Sequence, residues 1–170
     1  MLIIGTYDEN GNPDAMTAAW GGLYDGNKVE LCLSAGHKTT KNIRATGAFT
    51  VSFADAANLV ASDYVGLASA NTEPKKMEKS GFHLTKSQFV NAPLIDELPV
   101  AMECKLVKIN EDGNVIGEIV NVSADESVLG EDGNIDFSKF RPISFEPIHN
   151  GYHVLGERVG NAFSDGSKLK

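Results

Sequence analysis

Two long runs that alternate apolar and polar residues, Val100 to Ile109 and Val115 to Val122, are joined by Asn110-Glu111-Asp112-Gly113-Asn114. Asp-Gly inside such a join marks a hairpin turn, so the runs predict an antiparallel ribbon, the longest in the chain. The same grammar opens the sequence. Strand signals over Leu2 to Tyr7, Ala15 to Trp20 and Val29 to Leu33 are separated by turns at Asp8-Glu9-Asn10-Gly11-Asn12-Pro13 and Asp25-Gly26-Asn27, as in a β-meander. The chain opens inside a strand, which predicts either a trimmed N-terminus or a short first strand.

His37 to Thr46 predicts a helix, with Thr39 or Thr40 as N-cap, Ile43 facing the core and Gly47 as the stop. Ala48 to Phe53 alternates as a strand, and Ala56 to Ala68 is small and apolar enough for a second helix. The polar, Lys-rich segment Ala70 to Gly81 predicts a loop or short helix exposed to solvent and able to close over a ligand. Beyond the ribbon come a short acidic helical piece (Asp125 to Gly130), extended segments at Ile143 to Ile148 and Tyr152 to Leu155, and a polar tail.

Roughly six or seven strands with two helical insertions, and no regular strand-helix-strand alternation, exclude a doubly wound parallel sheet. The predicted fold is mainly β, a β-barrel with α insertions in a single domain over residues 1–170, because closure removes exposed strand edges.

Fifteen Lys and Arg against 23 Asp and Glu give a net charge of −8, which argues against nucleic acid as a partner, including an oligonucleotide-binding barrel, because phosphate neutralisation calls for a basic surface. No apolar run approaches the ~20 residues of a membrane span, and the start lacks the pattern of a signal peptide, so the cytoplasm is the expected address. Cys32 and Cys104 each sit in an alternating apolar run without CxxC spacing and are predicted to be buried thiols. The four His residues lack metal-ligand spacing, with Gly151 breaking the His149/His153 pair, so no metal site is expected. No G-x-G-x-x-G follows a strand, so a nicotinamide cofactor would bind outside a Rossmann frame.

The most suggestive stretch is Ser34-Ala35-Gly36-His37-Lys38-Thr39-Thr40-Lys41-Asn42. A strand ends, a Gly permits a tight turn, and hydroxyl and cationic residues stand at a helix start, where free N–H groups and the positive dipole end suit a phosphate. A plain helix cap is the rival reading. In Asp14-Ala15-Met16-Thr17-Ala18-Ala19-Trp20, small side chains let a flat ring approach the strand while Trp20 walls the pocket; an ordinary core strand is the alternative. Lys75 and Lys76 either reach a phosphate or form a solvated face, and Tyr152 and Phe163 either stack on a ring or pack.

With these residues in order, the chain resembles the flavin reductase-like, FMN-binding split-barrel family, and within it the flavoredoxin-like proteins most closely. The resemblance is carried by Asp8 to Thr17 with Trp20, His37 to Ile43, Phe49 to Ser52, Ala61 to Gly66 with Ser69 and Lys76, Ala92 to Ile95, Met102 to Cys104, Ile116 to Val120, and Tyr152 to Gly156 up to Phe163. It implies a Greek-key antiparallel split barrel, a homodimer with one FMN per protomer near the subunit boundary, and FMN rather than FAD.

Carried over by position, Asp14, Ala15, Met16, Thr17 and Trp20 would line the isoalloxazine. Ser34, His37, Lys38, Thr39, Thr40 and Asn42 would take the ribityl chain and phosphate. Lys76 would approach from the insertion, and Tyr152 and Phe163 would stack. Asp14 stands where family members usually carry Asn, and the usual segment upstream of the first strand is missing. The expected role is a flavin-dependent reductase or electron carrier, fed by NAD(P)H or a redox protein partner, with no catalytic acid or base nominated. The alternative is a non-catalytic module that holds flavin or haem.

Overall fold

Antiparallel pairing is the organising rule. The structure, a computed structural model, describes residues Met1–Lys170. It contains β1 (Leu2–Tyr7), β2 (Pro13–Ala18), β3 (Gly21–Asp25), β4 (Lys28–Leu31), α1 (Lys38–Thr46), β5 (Ala48–Phe53), α2 (Leu59–Leu67), α3 (Lys76–Ser80), β6 (Leu84–Lys86), β7 (Pro93–Ile95), β8 (Val100–Ile109), β9 (Val115–Ala124), β10 (Ile143–Glu146) and β11 (Gly151–Val154). Seven strands form one sheet in the order β2-β1-β5-β8-β9-β4-β3, with every neighbouring pair antiparallel. β6 with β7 and β10 with β11 make two small accessory sheets.

The two edge strands of the large sheet, β2 and β3, follow one another in the chain through Ala19 and Trp20 alone. The sheet therefore curls until its edges approach, giving a mainly β split barrel. The interior reports this curl: Leu2 and Ile4 of β1 share one apolar cluster with Val29 and Leu31 of β4, although β5, β8 and β9 lie between those strands in the sheet. Phe49 fills the centre, fully buried, and Gly117 of β9 makes room for its ring. No helix is long and apolar enough to cross a membrane.

β1 is apolar on successive residues because both of its faces are covered. Leu2 and Ile4 point into the barrel, while Ile3 joins Ala15, Val65, Phe82 and Ile95 in a second cluster beneath α2 and α3. That outer cluster holds α2 and α3 over β2, the arrangement on which the site depends.

Several predicted features sit differently. β3 has no counterpart among the predicted strands, since Gly21 to Asp25 is exposed throughout and carries no buried alternation. β6 and β7 are three residues each, too short for a periodic signal. The helix predicted from Ala56 starts only at Leu59 because Asp55 Oδ1 accepts from Asn58 N–H (2.8 Å) and Nδ2–H (3.0 Å), holding the chain in a turn. Cys104 is fully buried in the barrel, but Cys32 is exposed: Leu31 and Leu33 take the inward positions, so alternation turns Cys32 to solvent.

Two outcomes follow from this packing. A Cβ built on Gly117 would lie 2.3 Å from Phe49 Cζ, so Gly117→Ala should cost about 1–3 kcal/mol of stability, read as a lower urea midpoint at unchanged slope. Burial, and secondarily Glu103, push the Cys104 thiol up to about 12. At pH 8 an aromatic disulfide reagent should label Cys32 rapidly and Cys104 only after denaturation; fast labelling of both would contradict the fold.

Candidate functional site

A cavity of about 250 Å³ lies between β2, the start of α1, the end of α2 with the residues that follow it, and the start of α3. β2 supplies Asp14, Met16 and Thr17; α1 brings His37, Lys38 and Thr39; and Lys76 closes it from α3.

α2 lies close against β2. Thr17 Oγ1 donates to the Ser62 carbonyl, and a Cβ on Gly66 would come within 2.9 Å of Thr17 Cβ, so only Gly allows this approach. The wall then continues through Leu67, Ala68, Ser69 and Ala70. Of this run, sequence reasoning singled out only Gly66 and Ser69, through the resemblance. The remaining signal was the small-residue stretch after a helix.

α1 begins without a side-chain cap. His37 occupies the N-cap position in an extended conformation and makes no capping hydrogen bond. Thr39 and Thr40, the predicted caps, lie inside the first turn because their hydroxyls have tertiary acceptors: Thr40 Oγ1 donates to the Ser34 carbonyl (2.8 Å) and Thr39 Oγ1 to Asp14 Oδ2 (3.3 Å). The first-turn amides are left open to an acceptor from outside the chain. Ser34 N–H donates to His37 Nδ1 (3.3 Å), which makes Nε2–H the ring donor of neutral His37.

The charges are arranged in pairs. Lys76 Nζ lies 3.0 Å from Asp14 Oδ1, with both side chains only 3% exposed. The approach is an ion pair by distance without hydrogen-bond alignment, so Asp14 Oδ1 remains a buried acceptor with no donor. Burial of Lys76 corrects the prediction that its whole segment is solvated; the neighbouring Lys75 is exposed. Lys38 Nζ lies 3.4 Å from Asp8 Oδ2 at the cavity rim. Hydrogen bonds from Asn12 hold Asp8 down to about 2, so it is a full negative charge at neutral pH.

The structure places the other predicted residues elsewhere. Ala15 belongs to the apolar cluster beneath α2. Ser34 and Thr40 shape the turn into α1. Asn42, 2% exposed, donates to Thr6 Oγ1 (3.0 Å) and straps α1 to β1. Trp20 is 64% exposed and meets Phe145 edge-on, ring centres 6.4 Å apart, outside the cavity lining. Tyr152 donates to Asp63 Oδ1 (2.5 Å), pinning the β10–β11 hairpin to α2. Burial and the Asp63 carboxylate push its phenol up to about 12. Phe163 is fully exposed and packs on nothing in this chain.

Comparison with known proteins gives a consistent picture. A family described as flavin reductase like domain matches residues 1–144. Flavoredoxin of Desulfovibrio vulgaris (Miyazaki F) is 35% identical and superposes with a TM-score of 0.93, covering 97% of this chain and 91% of that one. Flavoredoxin from Methanosarcina acetivorans is 26% identical, with a TM-score of 0.89 and coverage of 99% and 91%. Curated relatives of Aquifex aeolicus (35% identical over 74 residues, 42% of this chain) and Aeropyrum pernix (24% over 148 residues, 84% of this chain) are uncharacterized proteins. The chain matches 38% and 56% of their respective lengths.

The Asp14–Lys76 pair generates a stability prediction. Removing one partner of a buried ion pair strands the other, so Lys76→Met should cost about 3–5 kcal/mol in urea unfolding. Adding Asp14→Asn should return most of that loss, and a double variant no more stable than the single one would show that the pair is not energetically coupled.

Proposed function

The chain belongs to the flavin reductase-like domain family, and from that premise we propose that it binds FMN and works as a flavin-dependent reductase or electron-transfer protein. One observation carries the reading: the uncapped start of α1, with Lys38 and Thr39, faces the same cavity as Asp14, Met16 and Thr17 of β2. A phosphate at a helix start gains from open amides and the positive dipole end, worth about 0.3–1 kcal/mol before any side chain contributes. β2 is an edge strand, so one side of its backbone has no ladder partner and offers N–H and C=O groups to the polar edge of a ring.

FMN, when bound, supplies the redox chemistry. The residues of the chain bind, orient and shield. α1 and Thr39 receive the phosphate; Gly66 and Thr17 keep the wall close; His37 Nε2–H and the β2 backbone offer donors to the polar groups of the ligand.

The proposal extends to a homodimer. A cavity of about 250 Å³ falls below the roughly 300–1,000 Å³ that encloses a ligand of this size, so one chain surrounds part of it. A second copy would close the rest, and the exposed Trp20 and Phe163 are the side chains we assign to that contact.

Purified protein should show an oxidised-flavin spectrum after incubation with FMN, and sedimentation should give twice the chain mass. Bleaching by NADH or NADPH under anaerobic conditions would identify a nicotinamide-linked reductase; flavin that stays oxidised with both points to a protein electron donor or a holding module. Lys38→Ala with Thr39→Ala should weaken FMN about tenfold while leaving riboflavin nearly unchanged. Equal losses for both ligands would remove the phosphate assignment.

A further inference from the structure

We propose that the site is charge-balanced so that it holds FMN as an exchangeable ligand, and that Asp14 is the residue that sets this. The inference rests on the flavin reading above and names what that reading leaves open, which is whether the flavin stays or turns over.

Open amides at a helix start can hold a phosphate without a cation, and a lysine with no acidic partner adds to that hold. Here both lysines are already matched. Lys76, the buried cation of the cavity, lies 3.0 Å from Asp14, and Lys38 lies 3.4 Å from Asp8. The two lysines and two aspartates cancel in formal charge, leaving an incoming phosphate the dipole end of α1, its amides and a Thr39 hydroxyl already donated to Asp14.

Position makes Asp14 the stronger of the two carboxylates in this effect. Its side chain is 3% exposed, so solvent screens it little, whereas Asp8 is 13% exposed and its partner Lys38 28%. Asp14 Oδ2 also accepts from Thr39 Oγ1 at 3.3 Å, which places the negative charge one residue contact from the helix start where a phosphate would sit. A dianion entering there meets Lys76 and Asp14 together and gains far less than from Lys76 alone. Riboflavin, which lacks the phosphate, is indifferent to that cancellation.

Asp14 thereby lowers affinity for the phosphorylated form specifically. The class of ligand this site takes is a free, diffusible flavin phosphate that arrives and leaves.

Titrating the full-length protein with FMN and with riboflavin, followed by flavin fluorescence, tests this. Wild type should lose FMN on gel filtration and prefer it over riboflavin by less than about tenfold. Asp14→Asn keeps the size and the acceptor for Thr39 but frees the Lys76 charge. It should tighten FMN by at least about tenfold and change riboflavin by no more than about twofold. Should Asp14→Asn fail to fold, Asp8→Asn, which frees Lys38 at the rim, should shift the same preference in the same direction by a smaller factor. Wild type that carries FMN through gel filtration, or a folded Asp14→Asn whose FMN preference is unchanged or reduced, overturns the inference while leaving flavin binding intact. Wild type that binds neither ligand overturns the flavin reading itself.

Discussion

β2 is an edge strand that is nonetheless covered on both faces, and the rest of the structure depends on that covering. Its inner face closes the barrel through Met16 and Ala18. Its outer face carries Ala15 and Thr17 against α2. An edge strand left bare would invite pairing with another chain. Here the helices shield it from above, the hydrogen-bonding side stays free of a ladder partner, and that free side borders the cavity. Fold closure and site formation therefore rest on the same strand.

Thr17, Ser62 and Gly66 show how tightly this is enforced. The threonine hydroxyl donates to a helix carbonyl, and the glycine opposite lets backbone and side chain meet at van der Waals distance. Such contacts tolerate little added volume, because packed interiors have no slack to absorb a methyl group. The cavity wall inherits that rigidity, and it ends in the small residues Ala68, Ser69 and Ala70.

Much of this was legible in the sequence where burial alternates. β1, β5 and β8 begin and end where the apolar pattern does, because one or both of their faces are buried along most of their length. β3 was invisible because all five of its residues are exposed, so pairing rather than burial defines it. Thr39 and Thr40 fit a cap by local chemistry, yet acceptors at Asp14 and Ser34, set in place by the fold, took their hydroxyls. The clustering of β2 with the start of α1 was within reach because the small-residue strand and the hydroxyl-rich helix start each carry a local signature. Pairing of Lys76 with Asp14 was not, since nothing local tells a solvated loop lysine from one drawn into a cavity by a distant carboxylate. Trp20 marks the opposite failure: a lone Trp reads as core, and in this chain it lies at the exposed join between two sheet edges.

The chain buries a second carboxylate, and the contrast between the two is informative. Glu103 of β8 is 2% exposed and has no cation beside it; Ser87 Oγ and Asn121 Nδ2 (2.6 Å) donate to its two oxygens. Neutral donors therefore suffice in this fold to hold a carboxylate out of water when the site is closed. Asp14 has a threonine donor on one oxygen and a lysine poised off-axis on the other, beside a cavity. A lysine is a costly way to satisfy a carboxylate, because its own desolvation must be offset as well. Its presence where an Asn or Ser would serve marks a group kept for the cavity's electrostatics, with the carboxylate holding that charge in check.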